Sequence, residues 1–135
     1  MSILAVMEQR GGAWNRMSFE TLAAAQQLAK ELSTTASAAV VGDSVDGLAA
    51  ELAAKQLEKV YAVENALLKD YTPDAYSIGL RQLVEHAKPG VVIFPHSYQV
   101  RDFLPKLATP LGKVAVSDVI SHRVDSGQVV LVRQL

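Results

Sequence analysis

The sequence predicts an α/β fold of three layers, doubly wound around a mainly parallel sheet, with an antiparallel hairpin near the carboxy terminus. Three observations carry that prediction. Short apolar runs at residues 3–7, 36–41 and 91–94 read as strands covered on both faces, the usual state of parallel strands. Between them, apolar residues recur at helical spacing, as a crossover onto the next parallel strand requires. Residues 119–124 and 128–135 then flank Asp125-Ser126-Gly127 as two strands around a short glycine-containing turn.

Each element has its own signal. Ile3 to Met7 form a first, central strand, and the polar Glu8-Gln9-Arg10-Gly11-Gly12 leads away from it. Ser18 is placed to cap the next helix, Glu20 sits in its positively polarised first turn, and Leu22, Ala25, Leu28, Ala29 and Leu32 form its inner stripe. After the second strand, Gly42-Asp43-Ser44 turns into a helix with Leu48, Leu52 and Ala53 inward. Residues 59–63, rich in β-formers, give a third strand. Thr72 followed by Pro73 is a cap with proline at the first helical position; Tyr76, Leu80, Leu83, Val84 and Ala87 define the buried face, and Lys88-Pro89-Gly90 ends the helix.

Residues 91–120 organise the rest. The strand at 91–94 is closed by Pro95, and from Val100 the period changes: Val100, Phe103, Leu104, Leu107, Ala108 and Leu111 fall on one helix face. Asp102 is expected to cap that helix, with Pro105 in its first turn. Pro110 should kink or stop it near Thr109, and Gly112 should close it. Val114-Ala115-Val116 and Val119-Ile120 then return toward the sheet, giving the strand order 3-2-1-4-5.

A chain of 135 residues suits a single domain that buries roughly two-thirds of its unfolded surface. Half of the residues are hydrophobic and the formal net charge is −1, which argues against disorder and against a strongly basic nucleic-acid surface. Cysteine is absent, which excludes disulfides, thiolate metal sites and cysteine nucleophiles. No apolar run approaches the ~20 residues that span a bilayer, and the first residues carry no signal-peptide pattern, so the chain reads as soluble, without membrane insertion.

In an open α/β sheet, ligands bind beyond the carboxyl ends of the strands where strand order reverses. Here that point lies between the first and fourth strands and sets Gln9, Arg10 and Gly11 opposite His96, Ser97, Tyr98 and Arg101. Gln9, Arg10, His96, Ser97, Tyr98 and Arg101 line a candidate nucleotide crevice, although its loops lack a phosphate-cradling glycine pattern. Gly42-Asp43-Ser44-Val45-Asp46-Gly47 has two glycines near a strand-to-helix turn, as a P-loop does. It lacks the Lys-Ser/Thr pair, and its aspartates would repel phosphate, so it reads as a turn and cap.

His96, Ser97 and Asp102 are the residue types of a hydrolytic triad. They lie too close in sequence for its usual geometry and lack a Gly-x-Ser-x-Gly elbow, so capping or crevice roles are favoured. His86 falls near a helix end and His122 in a strand, and three scattered histidines give no metal-ligand spacing. Trp14 and Tyr98 are loop aromatics, suited to an interface or to packing on their own loops.

The run Pro95-His96-Ser97-Tyr98-Gln99-Val100-Arg101-Asp102-Phe103-Leu104-Pro105-Lys106-Leu107-Ala108, followed by Ser117-Asp118-Val119-Ile120, resembles the amino-terminal domain of electron transfer flavoprotein alpha subunits. The opening Ile3-Leu4-Ala5-Val6-Met7-Glu8 and residues 42–64 are similar too, so the resemblance covers nearly the whole chain. Val100 stands where that family often has Gly, and Lys106 where it often has Arg; Lys keeps the charge but not the planar fork.

The resemblance implies that residues 1–135 are one domain of a longer alpha subunit whose carboxy-terminal FAD domain lies outside this sequence. It implies a heterodimer with a beta subunit, carrying electrons from flavin dehydrogenases such as acyl-CoA dehydrogenases, in fatty acid oxidation, to a quinone reductase. The setting would be the bacterial cytoplasm, or the mitochondrial matrix in a eukaryote. This segment would be scaffold and subunit interface, with no catalytic residue, no metal ligand and no FAD-binding residue, and would not keep FAD alone. The alternative is a free-standing adenine-nucleotide-binding module resembling universal stress proteins, with ATP or AMP in the crevice; a hydrolase centred on Ser97 is a third, weaker option.

Overall fold

A computed structural model of the chain describes residues 1–134. β1 (Ser2–Met7) leads into a small ribbon, β2 (Gln9–Arg10) and β3 (Ala13–Trp14). Then come α1 (Met17–Glu31), β4 (Thr35–Gly42), α2 (Asp46–Ala53), β5 (Val60–Glu64), a 3-10 turn (Ala66–Leu68) and α3 (Pro73–Ala87). β6 (Val91–Ile93), α4 (Tyr98–Leu111) and the hairpin β7 (Val119–Asp125) and β8 (Gln128–Arg133) complete the chain. The central sheet runs β5-β4-β1-β6 with every pairing parallel.

The period of two in the strands sorts the core into two halves. Ile3, Ala5 and Met7 of β1, with Ala36, Ala38 and Val40 of β4, face Leu22, Ala25, Leu28 and Ala29 of α1 and Leu48 and Leu52 of α2. Leu4 and Val6, with Ala39 and Val41, face Tyr76, Leu80 and Leu83 of α3 and Val100, Phe103 and Leu107 of α4. Phe94 and Phe103 share this second half, ring centroids 5.9 Å apart. The result is the three-layer, doubly wound α/β architecture.

The first four places of the expected 3-2-1-4-5 order are filled and the fifth is not, among the described residues. Residues 113–118 leave α4 through Gly112 in the left-handed region and form no strand; Val114 is 89% exposed. Asp118, at φ 59°, then turns the chain into β7, whose partner is its sequence neighbour β8. Local antiparallel pairing has taken up the backbone that was expected to extend the sheet. β6 is therefore an edge strand, and Val91, Val92 and Ile93 are half-buried rather than covered on both faces.

Four local expectations are corrected. Ser18 does not cap α1: it is the second residue of the helix, fully buried, and Asn15 Oδ1 accepts the Met17 N–H instead at 2.9 Å. The cap of α4 is Ser97, whose Oγ accepts from the Val100 N–H at 3.1 Å, because the helix begins earlier than its apolar stripe. Asp102 and Pro105 are consequently interior to α4, which runs through both prolines to Leu111. Both prolines lie on its exposed side, where water can take the carbonyls they leave without an N–H, while Val100, Phe103 and Leu107 pin the opposite face. Ala53 is exposed, since α2 is short and buries only Leu48 and Leu52.

Other signals hold. Thr72 caps α3 with Pro73 at its start, and Lys88 closes it at φ 49°. Gly11 and Gly12, at φ 59° and 87°, turn the β2–β3 ribbon with the positive dihedrals of a tight hairpin.

Candidate functional site

Strand order reverses between β1 and β6, and the segments leaving their carboxyl ends meet there. The contact that joins them is between Ser97 and Glu8. The Ser97 hydroxyl donates to Glu8 Oε1 at 2.6 Å while accepting from Val100, so one side chain both starts α4 and ties it to the end of β1. Glu8 is gripped from the other side too: Asn15 Nδ2 donates to Oε2 at 2.7 Å, and the Glu8 N–H donates to Ser18 Oγ at 2.7 Å. Ser18 returns its own hydroxyl proton to the Glu8 carbonyl at 3.2 Å. Every partner of Glu8 is therefore supplied from within the chain.

Gln9 turns away from the β6 loop and crosses over β4. Its Nε2 donates to the Val41 carbonyl at 3.0 Å, and its Oε1 accepts from the Gly12 N–H at 2.9 Å. Arg10 is exposed on β2. Tyr98, the first residue of α4, is 90% exposed, and Arg101 on the same helix is exposed as well. His96 faces Asp118 across 3.7 Å, away from Ser97's partner. Of the six predicted crevice residues, only Ser97 reaches across the switch point, and it meets Glu8 rather than Gln9 or Arg10.

The space left there is about 10 Å³, lined by residues including Val6, Gln9, Val41, Tyr76, Pro95 and Phe103. That is room for about one water, against the 300 Å³ or more of a small-molecule pocket. A broader depression of about 490 Å³ opens to solvent over Asn15, Arg16, Met17 and Glu20 at the start of α1. Only that one stretch of chain lines it, so no groups converge on it from a second element.

The triad residues are separated by their partners. Asp102 Oδ2 accepts from the Tyr71 hydroxyl at 2.7 Å, Ser97 is bound to Glu8, and His96 faces Asp118. Burial, and then the hydrogen bond to Asp102, push the Tyr71 phenol above its ordinary value; burial does the same to Tyr76. These two rings pack 4.9 Å apart beside Phe103 and seal the α3–α4 side. In the glycine-containing loop after β4, the Val45 N–H that a phosphate would need donates to Glu64 Oε1 at 2.9 Å. Lys106 pairs with Asp74 of α3 at 3.4 Å. No group of three or more His, Asp or Glu suited to a metal occurs among the described residues. No helix there is long and apolar enough to cross a membrane.

Sequence reasoning missed Glu8, Asn15, Ser18 and Tyr71. Glu8 alone carried a signal: a carboxylate directly after a buried central strand is forced to the switch point by the strand itself.

The comparisons with known proteins agree with one another. The family model described as "Electron transfer flavoprotein domain" matches residues 3–135. Similar proteins include the electron transfer flavoprotein subunit alpha of Syntrophomonas wolfei, 33% identical over 96% of this chain and 39% of its own length. That of Bacillus subtilis is 32% identical over 98% of this chain and 40% of its own. The acryloyl-CoA reductase electron transfer subunit beta of Anaerotignum propionicum is 29% identical over 91% of this chain and 34% of its own. The chain thus spans about two-fifths of the length of the first two relatives. With the family model covering all but the first two residues and the similar proteins named chiefly as alpha subunits, the chain belongs to the electron transfer flavoprotein family.

Proposed function

We propose that this chain is the amino-terminal scaffold and subunit-interface domain of an electron transfer flavoprotein alpha subunit, working in the cytoplasm and performing no chemistry itself. The observation that carries this reading is the filled switch point: the Ser97–Glu8 bond spans it and about 10 Å³ remains. The flavin the family name implies does not fit the switch point, because only about 10 Å³ remains there, and the loop N–H of Val45 is already taken by Glu64. FAD would be held by parts of the assembly outside this sequence. The same closed crevice weighs against the adenine-nucleotide module.

What this domain offers is surface. Ile120 is 64% exposed and Leu131 44%, and Val119 and Val132 of the hairpin and Val116 before it are exposed as well. Large apolar side chains exposed on and beside one hairpin suit a docking surface. Its partner would be a beta subunit, the heterodimer then passing electrons from flavin dehydrogenases to a quinone reductase.

Co-expression of the chain with an electron transfer flavoprotein beta subunit from the same source tests the assembly. Co-elution at one-to-one stoichiometry is expected. Separate elution at micromolar concentration, in the presence of FAD, would contradict the interface reading.

A further inference from the structure

The hairpin β7–β8 shares no ladder with the four-stranded sheet. Apart from Val124 and Val129, which pack on the α1–α2 half of the core, it is joined to the body by two polar side-chain contacts among the described residues. Both are histidine–carboxylate pairs. His122 Nε2 on β7 lies 3.1 Å from Glu31 Oε2 at the end of α1, the side chains 26% and 30% exposed. His96 Nε2, before α4, lies 3.7 Å from Asp118 Oδ1, the residue that turns the chain into β7. Ser117, Gln134 and Arg133 bond only within the hairpin unit, through the Arg133 side chain to Ser117 and the Gln134 N–H to the Asp118 carbonyl.

We infer that the hairpin is seated on the body by a pH-sensitive double clasp, His122–Glu31 and His96–Asp118, closed when the imidazoles are charged and loosened when they are neutral. An isolated two-stranded hairpin is marginal in water, so a few weak contacts decide whether it stays seated. A histidine takes up its charge between about pH 5 and 8. A hydrogen bond from a charged imidazole to a carboxylate is about twice as strong as a neutral one.

α1 presents Glu31, which also accepts from the neutral Gln27 at 2.8 Å; β8 presents the apolar Leu131 opposite His122. Asp118 faces His96, and its other oxygen accepts from the Ser117 hydroxyl. The Glu31 carboxyl lies below its ordinary value, chiefly through the hydrogen bond from Gln27 and then through His122, which favours its charged form beside the imidazole.

The inference does not depend on the assembly proposed above, since a chain without a partner would show it equally. The test is amide hydrogen exchange by NMR on the whole chain at about pH 5.5 and about pH 8, corrected for the intrinsic exchange rate. Protection of the β7 and β8 amides should fall about three- to fivefold at the higher pH while β1 and β4 hold theirs, and added salt should shrink the difference. The double variant His96→Gln/His122→Gln keeps a donor at each site without the charge, and should erase the pH dependence. Hairpin protection unchanged between the two conditions, or a double variant that keeps the parental pH response, would overturn the inference.

Discussion

Gly42, the last residue of β4, shows how tightly the loop beyond that strand is packed against Gln9 and Val45. A Cβ built there would stand 2.6 Å from Val45 Cγ1 and 2.7 Å from Gln9 Nε2. Gln9 could swing aside at the cost of its bond to Val41, but Val45 is buried and cannot. Gly42→Ala should therefore destabilise the fold by about 1–3 kcal/mol in urea denaturation, the range for overpacking a core. Ser97→Ala removes a helix cap and one partner of a partly buried carboxylate together, and about 1–3 kcal/mol should be lost. Tyr71 has a raised phenol that keeps its proton in the fold beyond the pH at which an unfolded tyrosine gives it up. The sign follows directly: the contribution is intact below about pH 10 and is lost as pH rises above it, because the unfolded state then binds fewer protons. In ultraviolet titration the Tyr71 phenolate should appear only with alkaline unfolding. Tyr71→Phe, which cannot ionise, should soften that loss.

At the scale of elements, the parallel strands and their crossover helices were legible because two periodicities wrote them: apolar runs for buried strands, and 3.6-residue stripes for the helices. What was not legible depended on partners distant in sequence. Ser18 has the right composition and place for a cap, but Glu8, ten residues back and brought alongside by β1, claims its hydroxyl. The start of α4 was read from its first buried residue, Val100, and so missed the exposed Tyr98, the half-buried Gln99 and the cap at Ser97. Pro105 was read as a first-turn residue and Pro110 as a breaker, whereas both are interior and their exposed placement makes them tolerable and costly at once. Pro105→Ala restores an intrahelical N–H to the Arg101 carbonyl, and should stabilise the chain by about 1–2 kcal/mol after the loss of unfolded-state restriction is subtracted. In the hairpin, Ile120→Asp with Leu131→Asp should leave the midpoint of urea unfolding nearly unchanged, because both side chains are already exposed. It should weaken association with a beta subunit tenfold or more, as measured by titration calorimetry.

Across the whole molecule, the filled switch point and the uncovered hairpin form one design. The two core halves meet through β1, which gives alternate side chains to each, and its last residues hold the crevice shut with Glu8 and Gln9. Fold class and family could be read from sequence because they rest on local pattern and on the order of pieces. The state of the crevice could not, because it rests on one residue, Glu8, whose carboxylate meets Asn15 and Ser97 and whose backbone meets Ser18 of α1. Titration calorimetry of the purified chain with FAD, and separately with AMP, to millimolar ligand tests this most directly. Flat heats in both titrations are expected from a crevice with about 10 Å³ of space. Saturable one-to-one binding of either ligand, abolished by substitution at Ser97 or Gln9, would contradict it.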